Sequence, residues 1–372
     1  MASPLSATLA AAVGVSAVNR PAVAEKVWAG EYVPVLDGLR AVSISLVLLA
    51  HIMTLYPVSS RAMAVGYVLG RTGVSIFFVI SGYLITGLLL REEERRGKIS
   101  LRRFYARRAL RILPAAFTFL AALLVLQLAG WIQMRPHDFY ASIFYVRNLT
   151  GQGHETSHLW SLSLEEQFYL LWPLTLLLLR PAKRIAAVTG AIAAICLWRS
   201  YLVLAEKIDP WVLQIRTDVR ADTILMGCVL ALLVRRFPQF RLDTGAWRTA
   251  WTPLCGGIAL LTAALLDPQW LHFAAVQSTV VAVLIALCML WFLNNPGAQA
   301  SAWIQTPVAL VIGRLSYSLY IWQQLFFGPQ EGALQGLRKF PMNLALTILL
   351  ACASYFLIER PALRFKARNF AA

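Results

Sequence analysis

The stretch LVLLAHIMTLY at residues 46–56 carries no formal charge, and FTFLAALLVLQLAG at 117–130 and YLLWPLTLLLL at 169–179 repeat the pattern. Each lies inside a weakly charged segment of about 20 residues, the length a helix needs to cross the hydrocarbon core of a bilayer. The whole chain agrees: of 372 residues, 59% are apolar and 14% charged, where soluble domains carry about 25% charged residues. An ordinary soluble protein is excluded, and the expected fold is an all-α polytopic membrane helix bundle.

Scanning outward from these runs gives ten expected transmembrane helices, near residues 40–59, 73–90, 110–131, 160–179, 184–206, 219–234, 250–267, 272–294, 305–327 and 341–359. The segment 139–145 is apolar but too short to cross, which makes it an interfacial or re-entrant piece. Lysine and arginine concentrate in cytoplasmic loops. Nine of them cluster after the second span, from Arg91 to Arg111 at the start of the third. Placing that loop inside puts 23 basic residues on the cytoplasmic side and nine opposite, with both termini cytoplasmic. Residues 1–30, rich in alanine, serine and valine without the basic start of a secretory signal, read as a disordered tail. Residues 31–368 read as one membrane domain.

The formal net charge is +16, and 28 of the 34 basic residues are arginine. In a membrane chain this points to anionic lipid and not to nucleic acid. Five cysteines, Cys196, Cys228, Cys255, Cys288 and Cys352, show no metal-ligand spacing, so no metal or disulfide framework is expected.

An ionisable residue inside a span costs about 2.5–3.5 kcal/mol on insertion scales, so each is a candidate for function. Arg40 and His51 in LDGLRAVSISLVLLAH (36–51) are eleven residues apart. On a helix they share a face to within about 20° and stand about 16 Å apart. Arg40 then lies at the cytoplasmic mouth and His51 near mid-depth. A neutral imidazole there suits general-base work; a helix-pinning histidine is the other reading. In HLWSLSLEEQFYLLWP (158–173), Ser161, Glu165 and Tyr169 recur every four residues on one stripe. Glu165 faces inward, either to orient an imidazole or to pin helices, and Glu166 points about 100° away. In SIFFVISGYLI (75–85), Ser81 and Gly82 permit close helix approach. FYARRALRILP (104–114) groups Arg107, Arg108 and Arg111, whose forked donors suit phosphate or anionic lipid.

Taken in order, these motifs with RADTILMG (220–227), GRLSYSLYIW (313–322) and IERP (358–361) resemble the membrane acyltransferase 3 family of bacterial O-acyltransferases, from about residue 34 to 366. The resemblance implies a ten-span core that moves an acyl group, often acetyl from acetyl-CoA, to a hydroxyl of a surface carbohydrate, glycolipid or related metabolite. It implies catalytic His51 and Glu165, acyl-CoA held by Arg40, Arg107, Arg108 and Arg111, and substrate contacts from Ser81, Tyr169 and Tyr317. It also implies a bacterial inner-membrane location. Many members carry a histidine after the SY..Y.W segment where this chain has Gln323, which puts a second histidine's role at that position in doubt. A proton-coupled transporter or glycolipid flippase is the competing class, disfavoured because the spans show no paired interrupted repeats.

Overall fold

The computed structural model describes residues 32–150, 153–205, 212–237 and 271–370, and among these every regular element is helical. The long helices are α1 (Pro34–Leu55), α2 (Ser60–Arg96), α3 (Leu101–Leu128), α5 (Leu159–Leu178), α6 (Arg184–Leu204), α7 (Asp222–Arg236), α8 (Leu271–Asn294), α9 (Pro307–Phe326), and α10 (Met342–Ser354) continuing into α11 (Arg360–Asn369). Between α3 and α5 lies the short α4 (Pro136–Ile143). Six helical segments among the described residues are long and apolar enough to cross a membrane: α1, α2, α3, the segment of α6, α8, and the run from α10 through α11. Helices α5 and α9 also have 20 residues each. At 15 residues, α7 is about 22 Å long. The expected span at 250–267 and the N-terminal tail lie outside the described residues. Helix α4, with eight residues, is too short to cross, as its sequence led us to expect.

The expected basic loop at 91–111 is instead the meeting of two helices. α2 runs 37 residues to Arg96, stops at Gly97 with φ 68°, and α3 starts after Ser100, whose hydroxyl accepts from Arg103 N at 3.4 Å. Gly97 takes the left-handed conformation that ends a helix at little steric cost. Arginine and glutamate are good helix formers, so a charge-rich segment extends helices beyond the apolar windows that define a span.

α2 is the centre of the bundle, packed by α1 on one side and α7 on the other, while α9 lies against α1 and α10. Gly82 explains the contact with α7: a Cβ there would overlap the Ile224 carbonyl, and one on Gly227 would overlap that of Val79. Backbones this close leave no room for side chains, which is how membrane helices gain packing energy. Ion pairs tie further segments: buried Arg199 to buried Asp222 at 3.0 Å, Arg184 to the partly exposed Glu93 at 2.6 Å, and, between two connecting segments, buried Arg338 to Glu155 at 2.9 Å. The outer faces stay apolar, with Leu128, Leu178, Leu197 and Leu357 each at least 71% exposed. Such exposure suits lipid as the solvent.

Candidate active site

Inside the bundle is a cavity of about 120 Å³ walled by α1, α2, α3, α5 and α9. Eight of the residues singled out from sequence line it: Arg40, Ser81, Arg108, Arg111, Ser161, Glu165, Tyr169 and Tyr317. They come from all five helices. Local periodicity gathers each helix's share on one face, Ser161, Glu165 and Tyr169 on α5 and Arg108 and Arg111 on α3, and the packing of the helices brings those faces together.

The polar groups interlock. The Ser81 hydroxyl hydrogen-bonds to that of Tyr169, and both stand against the Glu165 carboxylate. The Arg108 guanidinium lies over the Tyr169 ring, 3.7 Å from its centroid, a cation–π arrangement that fixes the plane of the fork. Arg111 is in the field of Arg40, Arg108 and Glu359. Arg40 Nη1 also donates to Asp37 at 2.8 Å, and the Tyr317 hydroxyl donates to Ile112 O at 2.7 Å. Three guanidiniums thus face one cavity that holds a single lining carboxylate among the described residues.

Two expected site residues stand outside this wall. Arg107 turns away to the base of α2, where its Nη2 donates to Glu92 at 2.7 Å with both side chains buried. Glu92 also accepts from Ser100 N at 3.3 Å, so the pair ties the α2–α3 turn. Arg107 and Arg108 point 100° apart on the helix with Arg111 between them, so it is the Glu92 carboxylate, and not helical phase alone, that draws Arg107 out of the cavity wall.

His51 belongs to a second polar group. Its Nδ1 lies 2.9 Å from Val47 O, and its ring meets Phe327 edge-on at 6.0 Å. A carbonyl only accepts, so Nδ1 carries the proton and Nε2 keeps its lone pair in the neutral ring. The electrostatic neighbours of His51 are His154 and His158. Glu165 has Ser81 and Tyr169 as its hydrogen-bond neighbours and Arg108 and Arg111 as its charges, and among these contacts His51 does not appear.

Tyr320 joins the two groups. It lines the cavity, hydrogen-bonds to Ser161, donates to His158 O at 2.7 Å, and packs its ring 5.6 Å from the His158 ring. The buried His158 ring also meets Phe119, and neither of its nitrogens has a hydrogen-bond partner. In the loop before α5, burial and the nearby Arg338 push the His154 imidazole down to about 4. Gln324 Nε2 lies 3.2 Å from its ring and 2.8 Å from its carbonyl. Sequence reading missed His154, His158 and Tyr320. The four-residue step from His154 to His158 and the three-residue step from Tyr317 to Tyr320 were visible. What the linear pattern lacks is the link to His51, a hundred residues earlier.

No solved structure matches this chain. A relative named O-acetyltransferase OatA, from Staphylococcus aureus strain NCTC 8325 / PS 47, is 31% identical over 380 residues, covering 93% of this chain and 60% of the relative. The protein of the same name from strain COL has the same identity and coverage. The chain therefore spans about three-fifths of the length of these curated relatives. The family described as "Acyltransferase domain" matches residues 33–359, which contain every residue of both polar groups, and the chain belongs to this acyltransferase 3 family.

Proposed function

We propose that the chain is a membrane O-acyltransferase that moves an acyl group, acetyl in the simplest case, from acyl-CoA to a hydroxyl of a surface carbohydrate, glycolipid or related metabolite. The observation that carries this reading is the cavity itself. Arg40, Arg108 and Arg111 line one space with Glu165, Ser81 and Tyr169, and clustered guanidiniums are the donors that phosphate groups select. The names of the relatives, O-acetyltransferases, support the same chemistry.

In this reading the CoA phosphates meet Arg108 and Arg111, with Arg40 beside them, and Arg107 supports the helix that carries both. The acceptor oxygen attacks the thioester carbonyl while His51 Nε2 takes its proton. The C–O bond forms, the C–S bond breaks, and the thiolate leaves as CoA, taking up a proton. Because Glu165 sits among the arginines, its role is to hold Ser81, Tyr169 and the arginine forks in place. Ten spans, cytoplasmic termini and an inner-membrane location complete the proposal, supported by the 23 to nine distribution of basic residues. Purified protein incubated with labelled acetyl-CoA and candidate hydroxyl acceptors should release CoA and transfer label. Absence of both in folded protein overturns the reading.

A further inference from the structure

A second pocket lies away from the cavity, between α2, the helical turn Thr217–Arg220 and α8. Arg71, Thr72, Ser75, Arg220, Gln277 and Ser278 supply its polar lining, and no carboxylate lines it among the described residues. The acyl-transfer reading uses none of them. Arg71 Nη2 donates to Gln277 Oε1 at 3.1 Å, and Arg220 Nη2 to Ser75 Oγ at 2.6 Å. The Arg220 Nε and the Ser278 hydroxyl, on residues 2% and 7% exposed, have no hydrogen-bond partner.

Among the described residues, arginines outnumber carboxylates around the pocket. Arg71, Arg199 and Arg220 bear on one another, and the carboxylate described beside them, Asp222, faces Arg220 while also accepting from Arg199 at 3.0 Å and from Thr279 at 2.5 Å. Buried like charges with unfilled donors are costly unless an anion joins them. The pocket has a volume of about 10 Å³, room for one oxygen-sized atom. That admits one oxygen of a larger oxyanion and leaves the remainder at the mouth.

Depth names the source of the anion. Arg71 and Arg91 are both on α2, and 20 residues of helix rise about 30 Å, the thickness of the hydrocarbon core. With Arg91 at the interface of the basic α2–α3 turn, Arg71 stands at the opposite interface, where phospholipid phosphates lie. We propose that Arg71, Arg220 and Ser278 form a binding site for the phosphate of a phospholipid headgroup at the membrane face opposite the α2–α3 turn. The proposal is independent of acyl transfer.

The test uses full-length protein in maltoside detergent, which contains no phosphate. Short-chain phosphatidylglycerol is titrated in, and bound lipid is counted by native mass spectrometry. Diacylglycerol of the same chains, inorganic phosphate and chloride are the parallel probes. Phosphatidylglycerol should bind at one saturable site and raise the thermal midpoint, and diacylglycerol should do neither. Arg220→Gln should weaken this binding tenfold or more, by the usual strength of a charged hydrogen bond. Ser278→Ala, which removes an unpartnered hydroxyl and leaves the fold intact, should weaken it by about threefold to tenfold. Saturation by inorganic phosphate at the same concentration overturns the lipid assignment, and saturation by chloride overturns the phosphate assignment. Equal binding by diacylglycerol, or unchanged binding in folded Ser278→Ala and Arg71→Gln proteins, overturns the site.

Discussion

The guanidinium of Arg108 rests 3.7 Å from the centre of the Tyr169 ring, while Arg107, its neighbour in sequence, is committed to Glu92 at 2.7 Å. Adjacent arginines thus have different duties, and their substitutions should separate. Arg108→Ala removes a forked phosphate donor worth about 1.5–3 kcal/mol. The apparent KM for acetyl-CoA should rise about tenfold or more, with little change in thermal midpoint. An unchanged donor KM would detach Arg108 from donor binding.

Arg107→Ala should act on stability instead. It leaves the Glu92 carboxylate buried without its cation, a loss of about 3–5 kcal/mol for such pairs. Two nitrogens of Arg107 have no hydrogen-bond partner, so the pair is imperfectly satisfied. The double variant Arg107→Leu, Glu92→Leu should therefore recover much of the lost midpoint. Thermal unfolding in detergent measures both. A donor KM that rises in Arg107→Ala as steeply as in Arg108→Ala would place Arg107 in the site after all.

His51→Gln should lower turnover by about 10² to 10⁴, the usual worth of general-base assistance, and leave acetyl-CoA binding in place. The Nδ1 contact to Val47 O predicts that the glutamine amide can still donate to that carbonyl, so the helix persists without the base. Binding and single-turnover transfer, measured on the same preparation, separate the two effects. Near-normal transfer would remove His51 from the mechanism.

Glu165→Gln keeps hydrogen bonding to Ser81 and Tyr169 and removes the charge that faces Arg108 and Arg111. Because Glu165 stands with the arginines and away from His51, both donor KM and turnover should worsen. A change in turnover alone would favour a direct exchange with the imidazole.

Acid should destabilise the fold through His154. Its imidazole sits near 4, lowered mainly by burial and next by Arg338, against an ordinary value of 6.5. Between those values the unfolded chain binds the extra proton, so stability is full above pH 6.5 and falls as pH drops toward 4. His154→Gln should flatten this part of the midpoint-versus-pH curve. An identical slope in the variant would assign the acid loss to other groups.

The sequence by itself determined the membrane-helical class, the family, and most of the cavity wall. Those signals are local: apolar runs set by bilayer thickness, and polar residues repeating every three or four positions on single helices. Even so, apolar windows understated α2 and α3, because their charged ends remain helical past the apolar segment. Tertiary structure alone decided how the candidates divide. Arg107 and Arg108 differ by one residue and by 100° of helix, which sends one to Glu92 and the other to Tyr169. His51 and Glu165, paired in the sequence reading, fall into separate groups bridged by Tyr320. The joining of His51 to His154 and His158 depends on how segments distant in sequence pack, with Gln324 and Tyr320 of α9 holding the carbonyls of His154 and His158 and Arg338 holding Glu155 between them. A linear pattern shows which face of a helix is polar, but which neighbour that face meets is fixed by packing between helices.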